Sequence, residues 1–477
     1  MNFLRNSLMA VSFMALAGSC KKQLDLRPTD VILNENAFQT VTDLNSGALG
    51  VYGTWQQRRV IYLSSILSDE LRQGTGSEYR GVGAILFRWD YTSDAQDFRD
   101  TEPGGVWTNL YSVIDRANRV LAAIDNVQPQ TDAETQTRER IRGEMLAVRA
   151  FAHFELLRTY ARSFEASSPG IPYQSEYVQN PSTYRPARQS AGEVVNNIET
   201  DLSQARTLIP QTFTDISRVT RNGVVAMQAR VSLYARNWDS AAARASYVIN
   251  AQPLTPRAAY PALWTTRNLA NNQSTEVIWK LNVAQANVGN AVGSLFQDAN
   301  GAVQFTPSQK LLNSYDSTAD IRFPTFFRTT PRTLLAKWGA ITPTATDNFV
   351  YDIKMLRTSE MYLIRAEARA ELNNLSGAAS DVTALRAQRI TGAAPAAYAS
   401  TAEAISDIYL ERFRELAVEG HRYYDLKRRN LPIERLLEDV QNNTAIATLS
   451  PNNPRYLLPI PQQEVFANPN IGQNPGY

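Results

Sequence analysis

The sequence predicts a mainly α-helical protein in which pairs of helices form a scaffold, interrupted by one loop-rich insertion. Three observations support this prediction. Apolar residues recur at three- and four-residue steps over long stretches, and a helix–turn–helix segment occurs twice. Between the two copies, over residues 253–355, prolines, glycines and asparagines become frequent. The chain has 477 residues, which is enough for a large core.

The first residues have the pattern of a secretory signal. Arg5 supplies positive charge, and the apolar run over residues 8–17 is too short to span a bilayer, which needs about 20 residues. Small residues then precede Cys20, the single cysteine of the chain. This order is similar to that of a lipoprotein signal, although Ala17 stands where leucine is usual. We predict a lipoprotein signal peptide over residues 1–19 and lipid attachment at Cys20.

Three long helices are predicted in the first half of the mature chain. The helix from Arg138 to Phe164 carries two apolar stripes, so both of its sides should be packed. A helix from Trp107 to Ile124 has one apolar face, and a helix from Glu193 to Ile209 ends at Pro210. Later helices are predicted to begin at Thr358 and to run over residues 402–426.

An internal repeat is the clearest architectural signal. Residues 229–242 match residues 366–379 at an offset of 137, with Ala241 aligned to Ala378. Each copy has the pattern of a helix, a short polar turn and a second helix, and small alanines allow the two helices to approach closely. The segment resembles the tetratricopeptide hairpin. A peptide-binding groove is one interpretation, but we favour a packing scaffold, because the polar positions form no peptide-reading pattern.

The domain plan follows from these elements. We predict a single domain over residues 20–477, with a helical scaffold at about 36–252 and 356–430 and a loop-rich insertion at about 253–355. Within the insertion, short strands are predicted at residues 276–282 and 349–354.

Composition and motifs exclude several classes of function. The net charge is +2, from 48 basic and 46 acidic residues, so no electrostatic footprint for nucleic acid exists. Two histidines, His153 and His421, and one cysteine give no zinc-binding spacing, and no nucleotide-binding loop or serine nucleophile motif occurs. We therefore expect no metal, no cofactor and no catalysis. The remaining enzymatic option is a glycosidase carboxylate pair, and nothing marks Asp69 and Glu70 as one.

Seven aromatic residues fall within 33 residues of glycine-rich sequence. Aromatic rings on loops are costly to leave in water unless they bind something, and sugar rings stack on them. For Tyr79, Trp89 and Phe98, ligand contact and loop packing are both open interpretations. For Trp107 and Tyr111, which are in phase with the helix that follows, we predict packing.

Several segments in the same order resemble the SusD/RagB family of surface nutrient-binding lipoproteins of the Bacteroidota. They are residues 24–30, 107–118, 143–154, 357–368, 414–428, 458–461 and 468–477. The segment 414–428 is the most specific. Its charged residues Glu415, Glu419, Arg422 and Asp425 alternate with apolar ones, so we predict that they form ion pairs of the scaffold rather than a ligand site.

The resemblance implies a mainly α fold of tetratricopeptide-like helical hairpins, with a loop-rich insertion and a few short strands on the opposite face. It implies binding without turnover, a SusC-like TonB-dependent transporter as partner, and a lipid-anchored, outward-facing position on the outer membrane. We expect a glycan or oligosaccharide ligand, bound by Arg72, Tyr79, Trp89, Phe98 and Phe296. Capture of peptides or another nutrient, a glycoside hydrolase and a helical-repeat adaptor remain alternatives.

Overall fold

The computed structural model describes residues 37–74, 83–93, 102–180, 182–283, 291–296, 303–330, 333–339, 349–440 and 446–477. The predicted signal segment, Cys20, Tyr79 and Phe98 lie outside the described residues.

Helices dominate the part of the chain that the structure describes, which confirms the predicted mainly α class. In chain order they are α1 (Val41–Thr54), α2 (Gln57–Leu67), α3 (Ala84–Phe87), α4 (Glu102–Ile124), α5 (Asp132–Tyr160), α6 (Ala191–Leu208), α7 (Arg221–Tyr234), α8 (Trp238–Ala251), α9 (Ala262–Thr265), α10 (Gln309–Asn313), α11 (Arg322–Phe326), α12 (Thr358–Glu371), α13 (Leu375–Ala387), α14 (Thr401–Glu415), α15 (Arg422–Arg428) and α16 (Gln462–Ala467).

The long helices stack side by side. Contacts join α1 to α4, α4 to α5, α5 to α6, α6 to α7, α7 to α8, α8 to α12, and α12 to both α13 and α14. Helix α5 is buried all along from Gly143 to Tyr160, as its two apolar stripes predicted. It begins earlier than expected because Thr131 caps it, with the Thr131 hydroxyl accepting a hydrogen bond from the amide of Glu134.

The predicted repeat is confirmed as two helical hairpins, α7/α8 and α12/α13. Their turns match as closely as their helices. Arg236 and Asn373 occupy the same place and both have a positive φ, of 55° and 58°. The next residues, Asn237 and Asn374, each cap the second helix of their hairpin through a side-chain hydrogen bond. The repeat therefore extends to the backbone conformation of the turn.

The strands are short, and those described pair two by two in antiparallel fashion. The pairs are β1 (Leu71–Gln73) with β3 (Phe305–Pro307), β2 (Val277–Leu281) with β6 (Ile353–Arg357), β4 (Phe327–Arg328) with β5 (Leu334–Leu335), and β7 (Ile433–Glu434) with β8 (Thr448–Leu449). The strand predicted at 276–282 is β2. The one predicted at 349–354 starts later, because Phe349 has a φ of 55°, which is incompatible with a strand.

The insertion packs on the scaffold through aromatic residues. The Trp279 ring of β2 meets Trp55 at a centroid distance of 5.6 Å and Phe151 of α5 at 5.7 Å, both edge to face. All three residues are buried in one apolar cluster that includes residues from the helices and from the insertion. Burial of such large rings contributes strongly to stability.

A buried ion network joins the same two parts. Glu415, the last residue of α14, accepts from Arg357 at 2.8 Å, from Arg322 at 3.0 Å and from Arg389 at 3.1 Å. Burial alone would raise the pKa of Glu415, but the three arginines hold it well below its usual range. The scaffold role predicted for the 414–428 motif is confirmed by these contacts.

The prediction of one helix over residues 402–426 is wrong in one respect, because the structure has two helices there, α14 and α15. Val418 and Gly420 have φ values of 55° and 85°, so the chain turns between α14 and α15. The turn directs the amide of Val418 to the carboxylate of Glu70, at 2.7 Å.

Candidate ligand-binding rim

Arg72 lies at the middle of β1, opposite Thr306 of β3. Its neighbours in the strand are buried and Arg72 is only partly buried, as the alternation of a strand requires. The Arg72 Nε donates to the Thr306 hydroxyl at 3.2 Å, and the amide of Gly74 donates to the Gln304 carbonyl at 3.0 Å. We call these four residues together with Gly83 the strand-pair rim.

Aromatic rings form the layer under the rim. Phe305 of β3 lies 6.2 Å from Tyr62 and 5.9 Å from Phe87, and Tyr62 lies 6.1 Å from Phe296, all measured between ring centroids. Gly83 has a φ of 73°, and a Cβ there would lie 2.6 Å from the Tyr62 hydroxyl. A residue with a side chain would be strained at position 83, so glycine is required there.

Two of the predicted ligand-binding residues belong to this layer instead of a surface. Trp89 is 3% exposed, its indole Nε1 donates to the Leu67 carbonyl at 3.0 Å, and Arg435 covers its ring at 4.0 Å. Phe296 is 1% exposed, and its carbonyl accepts from the amide of Gln304 at 2.8 Å. The expectation that these two rings face a ligand is corrected, because both are covered by neighbouring residues. For Trp89 the structure agrees with loop packing, the other of the two interpretations open from the sequence.

The adjacent carboxylates at the start of β1 have structural partners. Asp69 accepts from Arg422 at 2.7 Å and from Lys310 at 2.8 Å. Burial alone would raise the pKa of Asp69, but these two cations hold it well below its usual range. Burial raises the pKa of Glu70 to about 7. The pair fastens β1 to α10, to α15 and to the turn before α15.

Arg72 stays a predicted ligand residue, and its partner Thr306 could not be predicted from the sequence. The two residues are 234 positions apart, and no short-range pattern connects them. Tyr79 and Phe98 remain predictions. Along the sequence, the described residues nearest to Tyr79 are Gly74 and Gly83. Both belong to the strand-pair rim.

The described ranges contain no helix with the length and apolar character needed to cross a membrane. Nor do they bring three histidine, cysteine, aspartate or glutamate side chains together as metal ligands would be.

Comparison with known proteins gives a consistent result. The model of the SusD family matches residues 328–477, and the model described as starch-binding, associating with the outer membrane, matches residues 28–233. The chain is 24% identical to SusD-like protein P2 of Formosa agariphila over 520 aligned positions, which cover 95% of this chain and 96% of the relative. It is 21% identical to SusD-like protein P38 of the same organism, with 97% of each covered.

Solved structures share the fold. A putative sugar binding protein from Bacteroides vulgatus superposes with a TM-score of 0.78 at 22% identity, over 92% of this chain and 99% of that one. A laminarin binding SusD-like protein superposes with a TM-score of 0.71 at 21% identity, over 92% of this chain and all of that one. The two family models, which match the N-terminal and C-terminal parts of the chain, and relatives aligned along nearly its whole length lead to one conclusion: the chain is similar to the SusD family along nearly its whole length.

Proposed function

We propose that this protein captures a glycan at the outer membrane and passes it to a SusC-like TonB-dependent transporter. The observation that carries the proposal is the likeness to the SusD family, in which the model that matches residues 28–233 is described as starch-binding and associating with the outer membrane. A structural neighbour that is described as laminarin binding supports the same class of ligand. Outward-facing attachment through lipid at Cys20 is part of the proposal.

The strand-pair rim is the proposed capture site. Arg72 is held at its Nε by Thr306, and its guanidinium carries further N–H groups that can donate to sugar hydroxyls. The buried aromatic layer below fixes the two strands, so that Arg72 is presented from a rigid support. Tyr79 and Phe98 are proposed to supply the rings on which a sugar stacks.

Binding without turnover is proposed because the adjacent carboxylates Asp69 and Glu70 are already engaged. Asp69 is paired with two cations, and Glu70 accepts the amide of Val418. General acid catalysis on a glycosidic bond needs a carboxyl group that reaches the bond. Both of these side chains are buried, with at most 1% exposure.

Calorimetric titration tests the capture site. The chain without residues 1–20 is titrated with oligosaccharides of starch, laminarin, cellulose and xylan, and the products are examined by chromatography. We expect saturable binding without new products, weakened about tenfold by Arg72→Ala. Arg138→Ala is the matched control, because Arg138 forms a partly exposed pair with Glu139 on α5, outside the rim.

The outcomes separate the alternatives. Binding of peptides with no heat from any glycan would support the same scaffold with another nutrient, and product formation would support a glycoside hydrolase. Glycan binding that Arg72→Ala leaves unchanged would contradict the rim as capture site.

Anchoring and partnership need a cellular test. We expect the tagged full chain to co-purify with a TonB-dependent transporter from detergent-solubilised outer membranes, and Cys20→Ser to release the protein from the membrane fraction. Membrane retention of Cys20→Ser would contradict the lipid anchor, and a chain that purifies alone would contradict the partnership.

A further inference from the structure

A groove that is separate from the rim follows helix α4. It consists of three adjoining cavities of about 580, 410 and 380 Å³, each within the range of about 300–1,000 Å³ that ligand pockets occupy. They adjoin one another, because each pair shares at least one lining residue. We call it the α4 groove, and the residues that matter most are Phe38, Tyr111, Arg119, Tyr177, Tyr184 and Arg185.

One wall of the α4 groove is fixed by buried polar groups. The Asn118 side-chain amide donates to the carbonyls of Gln174 at 3.1 Å and Glu176 at 3.0 Å. His153 Nε2 lies 3.0 Å from the amide nitrogen of Gln174, and Nδ1 lies 2.9 Å from the Arg149 carbonyl. This pattern requires a neutral ring with hydrogen on Nδ1, and burial lowers the pKa of His153 to about 3. The wall is therefore rigid.

The C-terminal residues fix a second part of the groove, at residues 185 and 186. The side-chain amide of Asn468 donates to the Pro186 carbonyl at 2.8 Å, and that of Asn470 donates to the Arg185 carbonyl at 2.8 Å. The backbone of this segment is thus engaged, while the side chains of Tyr184 and Arg185 are exposed, Tyr184 by 40%. A large exposed ring on a fixed backbone is a preorganised contact surface.

The lining combines aromatic faces with balanced charge. Tyr111 and Tyr177 are partly buried, and Arg119 lies 4.4 Å from the centre of the Tyr177 ring. Arg119 also pairs with Asp115 at 2.8 Å. Taken together, the three cavities are lined by three carboxylates and three arginines, namely Asp115, Glu176 and Glu464 against Arg116, Arg119 and Arg185. Such a lining favours a neutral polar ligand over a polyanion.

We propose that the α4 groove is a second glycan-binding site, which takes a neutral oligosaccharide with sugar rings against Tyr184 and Tyr177. The ligand class rests on the proposed function, but the residues are separate from the rim. An extended peptide fits less well, because none of the described residues that line the groove belongs to a strand that a peptide could join.

A fluorescent label placed in the α4 groove tests this proposal independently of the rim. The chain without residues 1–20 contains no cysteine, so Thr108→Cys creates a single labelling position, at an exposed residue that lines the groove. Thr42→Cys, on an exposed position of α1 outside the groove, is the control label. The titrants are maltoheptaose, laminarihexaose and xylohexaose, with polygalacturonate as a charged comparator.

We expect a saturable signal from the label at residue 108 and none from the label at residue 42. Tyr184→Ala or Arg185→Ala should weaken the apparent affinity about tenfold. Phe466→Ala is the matched aromatic control, because Phe466 is 78% exposed on α16 and does not line the groove. Arg72→Ala should leave this signal unchanged.

The two proposals fail differently. Calorimetric glycan binding with no signal from the label at residue 108 would overturn the second site and leave capture at the rim intact. A signal for polygalacturonate alone would overturn the neutral ligand class. A glycan signal that persists while Arg72→Ala has no effect on total binding would support the groove and contradict the rim.

Discussion

Arg435 lies over the indole ring of Trp89, with its guanidinium carbon 4.0 Å from the ring centroid. Its nitrogens donate to the carbonyls of Ile66 at 2.8 Å and Ser68 at 2.9 Å, and the Trp89 indole donates to the carbonyl of Leu67 between them. These carbonyls lie at the C-terminal end of α2, where a cation is favourable. Arg435 and Trp89 together cap α2 below the strand-pair rim.

The first prediction concerns the stability that Trp89 provides. Trp89→Ala should lower the free energy of unfolding by about 3–5 kcal/mol, because it leaves a cavity and removes the indole donor. Trp89→Phe, which keeps a ring but loses the N–H, should lose less. Urea denaturation followed by circular dichroism measures both. Unchanged stability with weakened glycan binding would contradict the core position and support ligand contact.

The helices were predictable from sequence because their signals are local. The two-sided pattern of α5, the stop at Pro210 and the repeat that contains Ala241 and Ala378 all lie within short windows. Local patterns did not reveal that Val418 and Phe349 have positive φ, since both are residue types that rarely adopt it. Those conformations depend on contacts made elsewhere in the chain.

The site was less predictable because its contacts are long-range. The aromatic, glycine-rich stretch around Trp89 is compatible with ligand contact and with packing, and the burial of Trp89 depends on Arg435, which lies far along the chain. The wall of the α4 groove depends in the same way on His153, a residue whose place in the sequence served only to exclude a zinc site. Composition locates aromatic residues, and only the fold decides which of their faces are covered.

The second prediction concerns the ion network at Glu415. Glu415→Gln should lower the free energy of unfolding by about 3–5 kcal/mol at neutral pH, because it leaves buried arginines without their shared carboxylate. The folded-state pKa of Glu415 is below its ordinary value of 4.5, so its stabilisation is present above that pH and is lost as pH falls. The gap between wild type and variant should therefore narrow in acid.

Urea denaturation between pH 7 and pH 3 checks this prediction. Glu371→Gln is the control, because Glu371 is 22% exposed at its side chain and pairs with Arg429 at the surface. A gap that stays constant across this pH range would show that Glu415 has the same pKa in the folded and the unfolded chain, and would contradict the prediction.

The third prediction concerns protonation of His153. Its folded-state pKa of about 3 lies below the ordinary value of 6.5, so the unfolded chain binds more protons between these values. Stability should fall as pH drops below 6.5, by up to about 1.4 kcal/mol per pH unit from this residue. The ring carbon resonances of His153 should show no titration between pH 7.5 and pH 5 in an NMR titration. His153→Gln assigns the resonance, because His421 is the only other histidine.

A midpoint near pH 6.5 for His153 would contradict the neutral ring and with it the fixed wall of the α4 groove. Amide hydrogen exchange, followed by NMR on the same two proteins, reports on that wall directly. The backbone amide of Gln174 should exchange slowly with solvent at neutral pH and faster in His153→Gln, because that variant removes the acceptor of its 3.0 Å hydrogen bond.

The fourth prediction concerns the matched caps of the two hairpins. Asn237→Ala and Asn374→Ala should each lower the free energy of unfolding by about 1 kcal/mol, since each removes a side-chain acceptor from the first turn of its helix. Asn196→Ala is a control of opposite sign, because Asn196 is exposed in the interior of α6, where alanine is the better helix former. Thermal and urea denaturation compare the three. Similar losses in the free energy of unfolding at 237 and 374 would show that the two caps contribute equally to stability. A loss at one cap alone would contradict the prediction and show that the two turns share only their shape.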